Sequence, residues 1–238
     1  MVTTSQHISQ QFENELQDIR SLVLAMGGLI EQQVTYAQQA LAKADSELAR
    51  NVIELDDQVN DLEVQIDEDC IQIIALRQPT ASDLRLVSGI LKTITDLERI
   101  GDESVSIARM ALNLSEKDRP KKNYRELQSM GKQVLSMLHD ALDAFARLDA
   151  KQAVEVAQRD LEVDAEYEAI VRQLITYMME DPRTVTKAID MMWSARSLER
   201  IADHVSNICE HVIYLVEGKD VRHASLEKMA SVVASKKK

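Results

Sequence analysis

The chain predicts an all-α fold made of two tandem, duplicated three-helix bundles, and three observations carry that expectation. The first is punctuation: six glycines and three prolines in 238 residues leave few turns, and aromatic residues at 3% are too scarce for ordinary sheet packing. The second is period, because apolar residues recur at steps of three and four from Ile8 to Val216. The third is repetition. Leu97-Glu98-Arg99-Ile100-Gly101-Asp102 returns 101 residues later as Leu198-Glu199-Arg200-Ile201-Ala202-Asp203, with only the small residue changed.

The elements follow in order. Phe12, Leu16, Ile19, Val23, Met26, Ile30, Val34 and Ala37 mark a first amphipathic helix from Ile8 to about Ala44. Gly27-Gly28 lies inside it as a kink or a close helix contact; no Lys-Ser or Lys-Thr follows, so it is no nucleotide loop. Asp45-Ser46 caps a second helix, whose stripe runs from Leu48 through Val59 and Cys70 to Leu76 and which ends near Gln78. Pro79 forces that end, since the residue before a proline is pushed out of the helical region. Thr80 or Ser82, followed by Asp83, opens a third helix to about Leu114.

Residues 115–123 are charged, carry Pro120 and lack apolar side chains, which marks a linker. Domains of 1–118 and 119–238 are expected on either side of it. The pattern then restarts with a fourth helix from about Leu127 to Leu148, and a fifth, capped by Asp149, to about Glu180. Pro182 stops the fifth, and a sixth carries Val185 through Val216 to Gly218. The remainder, with Leu226, Met229, Val232 and Val233 before three closing lysines, reads as frayed surface around a short weak helix.

Composition excludes several functions. With 40 acidic against 28 basic side chains the net charge is −12, which opposes approach to nucleic acid or an anionic bilayer. The start has neither a basic nor an apolar leader segment, and no run is long and apolar enough to span a membrane, so a cytoplasmic protein without membrane insertion is expected. Cys70 and Cys209 stand apart within helical patterns and read as buried, reduced thiols.

Each repeated phrase holds its Glu and Asp at i and i+4, one turn apart on one face. Two carboxylates so placed repel unless a cation, a base or a shared proton lies between them. Aligning Pro79 with Pro182, an offset of 103, maps Asp57 and Asp61 onto Asp160 and Asp164 and so adds an acidic pair to the second and fifth helices. If each proline turns an antiparallel hairpin, the pair midpoints lie 20 and 21 residues from Pro79, and 20 and 19 from Pro182. They are level, roughly 30 Å from the turn.

Four convergent carboxylates without a constant His or Cys form a hard oxygen-donor set, suited to magnesium, calcium, manganese or ferric iron, with zinc also open. Asp57, Asp61, Glu98, Asp102, Asp160, Asp164, Glu199 and Asp203 are therefore the candidate ligands. The plainer alternative is a solvated acidic face neutralised by Arg99, Arg200 and other bases, but the doubled, level placement favours cation sites. Arg99 and Arg200 fall on the polar side of the wheel and are expected to face solvent or a partner. The helices lack the Glu-x-x-His spacing of di-iron bundles, and no shared His, Cys, Ser or Lys stands by the carboxylates, so catalysis is not expected.

Two three-helix units, each with an acidic pair on its second helix and Leu-Glu-Arg-Ile-x-Asp on its third, resemble the PhoU family of phosphate-signalling accessory proteins. His7-Ile8-Ser9-Gln10-Gln11-Phe12, Met26-Gly27-Gly28-Leu29, Arg77-Gln78-Pro79 and Ala81-Ser82-Asp83-Leu84-Arg85 strengthen the resemblance, which covers nearly the whole chain. It implies a duplicated helical bundle that binds iron or zinc through the acidic positions above. It also implies a homodimeric adaptor, not an enzyme, that links a phosphate ABC transporter, through its ATPase subunit, to a membrane-bound sensor histidine kinase. Such an adaptor is cytoplasmic, peripherally associated with its membrane partners, and keeps the phosphate-starvation response off when phosphate is plentiful. A metal-storage or metal-dependent bundle, or a purely structural adaptor, is the alternative.

Overall fold

The computed structural model describes residues 4–115 and 124–235. The long helices are α1 (Thr4–Lys43), α2 (Ser46–Arg77), α3 (Ala81–Ser115), α4 (Tyr124–Arg147), α5 (Ala150–Gln158), α6 (Asp160–Glu180), α7 (Val185–Glu217) and α8 (Leu226–Ala234), with a 3₁₀ turn at Pro182–Thr184. No strand occurs among the described residues. α1, α2 and α3 pack on one another as the first three-helix unit, and α4, α5 with α6, and α7 form the second. The predicted linker beyond Ser115, the boundary between residues 118 and 119, and the closing lysines lie outside the described residues.

The duplication extends to the caps. Asp45 accepts hydrogen bonds from the backbone N–H groups of Glu47 and Leu48 at the start of α2, and Asp149 does the same for Lys151 and Gln152 at the start of α5. Each Asp follows a residue in the left-handed region, Ala44 with φ 47° and Leu148 with φ 53°, so the chain enters both helices by the same turn. Gly27 does not interrupt α1. It sits where a Cβ would lie 2.7 Å from a Leu142 methyl on α4, and its counterpart Gly131 stands equally close to Gln38 on α1, so the pair sets the approach of the two helices.

Burial reveals the internal register. Met26, Ile30, Val34 and Ala37 of α1 are matched 104 residues later by Met130, Val134, Leu138 and Ala141 of α4, all fully buried. The same offset pairs Val59, Ile66 and Cys70 of α2 with Val163, Ile170 and Leu174 of α6, whereas α3 and α7 keep the offset of 101. The two prolines are therefore not equivalent. Pro79 follows Gln78, a helix cap in the left-handed region, while Pro182 opens the 3₁₀ turn behind its own cap, Asp181. The three residues by which the copies differ lie in that hairpin.

Two further expectations change. The predicted fifth helix is divided at Arg159, whose N–H bonds back to Val156 in a tightened turn, so Asp160 opens a new helix in place of sitting mid-helix. The tail is not frayed through Ala234. Ser225 caps α8 and accepts from the Lys228 N–H, and Met229 and Val221 are buried as α8 lies against α5 and α7.

The halves meet along their third helices. α3 packs lengthwise on α7, and α1 on α4, so one continuous apolar core crosses from one unit to the other. The two Leu-Glu-Arg-Ile phrases thus lie on the pair of helices that joins the halves, with Leu97, Ile100, Leu198 and Ile201 holding their inner faces.

Candidate functional site

In the second half the predicted set comes together. Asp160 and Asp164 on α6 face Glu199 and Asp203 on α7. Burial, then the charges of Asp203, Asp164 and Glu199, push the Asp160 carboxyl up to about 7. Burial and Asp203 also raise Glu199, opposed by Arg196 and Arg200, and burial with Asp164 raises Asp203 against Arg196, His204 and Arg200. Glu199 is only 8% exposed; one of its oxygens pairs with Arg196, while its Oε2 and the Oδ1 of Asp160 are buried without a hydrogen-bond partner.

In the first half the third-helix pair is placed as expected, but the second-helix pair is not. Asp57 and Asp61 are exposed. Glu98 is raised by burial and by Asp102, with Arg99 opposing, and then by Glu63 and Asp56. Glu63 is raised in turn by burial and Asp67, lowered by Arg99, and raised by Asp102. The α2 contribution therefore comes from Asp56 and Glu63. The physical reason is the register: with the offset of 104, Asp160 corresponds to Asp56 and Asp164 to Asn60, and an error of one residue turns a helix by about 100°.

The structure adds groups that sequence reasoning missed. Gln33 on α1 is fully buried, donates to the Val52 carbonyl and to Asp56 Oδ1 at 3.0 Å, and leaves its own Oε1 without a partner. Its signal was a polar side chain within the apolar stripe of α1. Asp96 on α3 binds across to α7: His204 Nδ1 at 2.9 Å and Asn207 at 3.0 Å meet Oδ1, and His211 Nε2 at 2.8 Å meets Oδ2. Burial would raise the Asp96 carboxyl, but the bonds from His204, His211 and Asn207 outweigh it and hold the group at about 2. In sequence His204 is marked only as the residue after Asp203, where the first copy has Glu103.

Neither arginine is free of the protein. Arg99 leans back on its own pair, 3.4 Å from Glu98 and 3.3 Å from Asp102, and Arg200 crosses to Glu103 of the other half at 2.7 Å. Both remain half-exposed. The thiols are inert: both are buried, and burial with nearby Asp67 and Asp69 pushes Cys70 up to about 12, as burial with Glu210 also raises Cys209.

In the second cluster the donor chemistry fits a hard cation, since the unpartnered buried oxygens of Asp160 and Glu199 on facing helices are what such an ion would satisfy; in the first, the unpartnered oxygen is Gln33 Oε1 beside Asp56. The side chains as arranged do not yet enclose one. Among the described residues no three His, Cys, Asp or Glu side chains are grouped to hold a single ion. Ligation at either cluster would need rotamer changes that bring the carboxylates inward.

The fold and its two acidic clusters, one in each half, define a duplicated helical-bundle protein. Among the described residues it has no helix long and apolar enough to cross a membrane. The PhoU domain model matches it twice, at residues 23–111 and 127–212. A phosphate-specific transport system accessory protein PhoU homolog of Pseudomonas putida is 54% identical over 95% of this chain and 89% of its own length. The crystal structure of PhoU from Pseudomonas aeruginosa superposes with a TM-score of 0.85 at 54% identity, over 87% of this chain and 100% of that one. That of the phosphate transport system regulatory protein PhoU from Streptococcus pneumoniae gives 0.82 at 35% identity, over 88% and 99%. The chain belongs to the PhoU family.

Proposed function

We propose that this chain is an accessory regulator of a phosphate-specific transport system that acts by protein contact and not by catalysis. The observation that carries the reading is its near full-length likeness to phosphate transport accessory and regulatory proteins. In this reading it links the transporter, through the ATPase subunit, to a sensor histidine kinase and keeps the phosphate-starvation response off while phosphate is plentiful. It works as a homodimer in the cytoplasm, peripherally associated with these membrane partners. Exposed apolar side chains support a role in contact: Met179 is 81% exposed and Trp193 57%, on the hairpin of α6 and α7.

The acidic clusters serve as cation sites in the same reading. Asp160, Asp164, Glu199 and Asp203 would hold one ion, and Glu98, Asp102, Asp56 and Glu63 another. The carboxylate set suits iron or zinc, as the family resemblance implies, and equally magnesium, manganese or calcium. The unpartnered oxygens of Asp160 and Glu199 favour cation binding and sustain metal storage as a second reading.

The deciding experiment is a phosphate-starvation reporter in high phosphate, in wild-type and deleted cells, with capture of the transporter ATPase and the kinase by the purified protein. Deletion is expected to leave the reporter on, and both partners to be recovered. Normal repression after deletion, with neither partner captured, overturns the adaptor reading and promotes storage.

A further inference from the structure

The first cluster differs from the second in a way that centres on Gln33. A glutamine with no exposed surface normally has both ends of its amide satisfied, yet here only the nitrogen is. The Nε2 group grips Asp56 and the Val52 carbonyl, fixing which way the amide faces, and Oε1 is thereby turned toward α3. It lies against Gly101, the small residue of the repeated phrase. A Cβ there would stand 3.1 Å from Gln33 Oε1 and 3.2 Å from Asp56 Oδ1, so both oxygens approach the helix as they do because residue 101 has no side chain. In the second copy the phrase carries Ala202, and Met137 occupies the place of Gln33 at the offset of 104. Gln33, Gly101 and Glu63 stand where the second copy has Met137, Ala202 and Tyr167, and all three adjoin the first cluster, while Asn60 takes the place of Asp164.

We propose that Gln33 is a positioning residue of the first acidic cluster: it orients Asp56 toward Glu98 and Asp102 and offers a neutral carbonyl oxygen to a hard divalent cation held there. The inference rests on the reading of the clusters as cation sites. Glutamine carbonyls are ordinary ligands for such ions, and a ligating carboxylate is itself held by hydrogen bonds, so one side chain meets both needs. The two halves then bind cations through different donor sets, all-carboxylate in the second and mixed in the first.

The test is titration of the full chain with Mn²⁺, following free ion by electron paramagnetic resonance, in a background with the second cluster disabled by Asp160→Asn and Glu199→Gln. Gln33→Met, which installs the residue of the other half, is expected to weaken Mn²⁺ binding at the first cluster by about tenfold. Without cation its thermal midpoint should be equal or higher, because a buried unpartnered carbonyl is removed. Gly101→Ala adds only the methyl group that Ala202 already carries and should weaken binding in the same direction, which covers a Gln33 variant that fails to fold. Combined with Asp56→Asn, Gln33→Met should cost less than the two singly, since one acts through the other. Unchanged Mn²⁺ affinity in both the Gln33 and Gly101 variants, with a lowered midpoint, makes Gln33 a merely structural residue and overturns the proposal. Absence of Mn²⁺ binding at either cluster of the wild type overturns the cation reading itself, and this inference with it.

Discussion

Asp96 shows how a single carboxylate can tie the halves together. It is the acceptor for three donors from α7, and its carboxyl is held at about 2 against an ordinary value of 3.8. A depressed carboxylate contributes stability that is present above the unfolded value and lost as pH falls through the folded one. Stability from this group should therefore decline between about pH 4 and pH 2 as Asp96 takes up a proton. Asp96→Asn should cost on the order of 2–3 kcal/mol at pH 7 and flatten the stability profile across that window, measured by urea unfolding at successive pH values. An unchanged acid limb would show that the histidine contacts do not hold the ion. Asp160 presents the opposite case, a carboxyl raised by burial and by three like charges, and it marks the cluster with the greatest need of a counter-charge.

At the scale of the element, much was legible in the sequence. Period located α1, α2, α3, α4 and α7, because each buries one continuous stripe that runs on through the glycines inside it, and Pro79 marked where α2 ends. Asp45 and Asp149 were readable as caps, since a short acidic side chain before a periodic run has one obvious use. The α2 side of the first cluster was not readable. Proline looks like a fixed point, yet Pro79 and Pro182 occupy different turns, and the resulting one-residue slip selects Asp57 and Asp61 over Asp56 and Asn60; Glu63, whose counterpart is Tyr167, is not indicated by the repeat at all. The break at Arg159 has no Gly or Pro to announce it; Arg159 is held there by Asp140 of α4 at 2.6 Å, a tertiary contact. The order of α8 likewise depends on what it covers. Met229→Asp should release it, raising amide exchange across 226–234 while leaving α1 to α4 protected, and uniform protection in the variant would mean that α8 holds by its cap alone.

For the whole molecule, the placement of the repeated phrases is the main consequence of the fold. They run along α3 and α7, the helices through which the halves share their core, and the pair is further joined by Arg200 to Glu103 and by the Asp96 network. Each cluster therefore has one side on a helix of the junction, and a change in charge at either one acts on a helix that packs against the other unit. The central claim is that these carboxylates are cation sites of a regulator and not a solvated acidic surface. Metal analysis of protein purified without a metal-affinity tag tests it most directly, comparing wild type with the variant carrying Glu98→Gln, Asp102→Asn, Glu199→Gln and Asp203→Asn. Wild type should retain bound metal and the variant should lose it with its helical circular dichroism intact; equal metal content in the two, or none in either, would contradict the account.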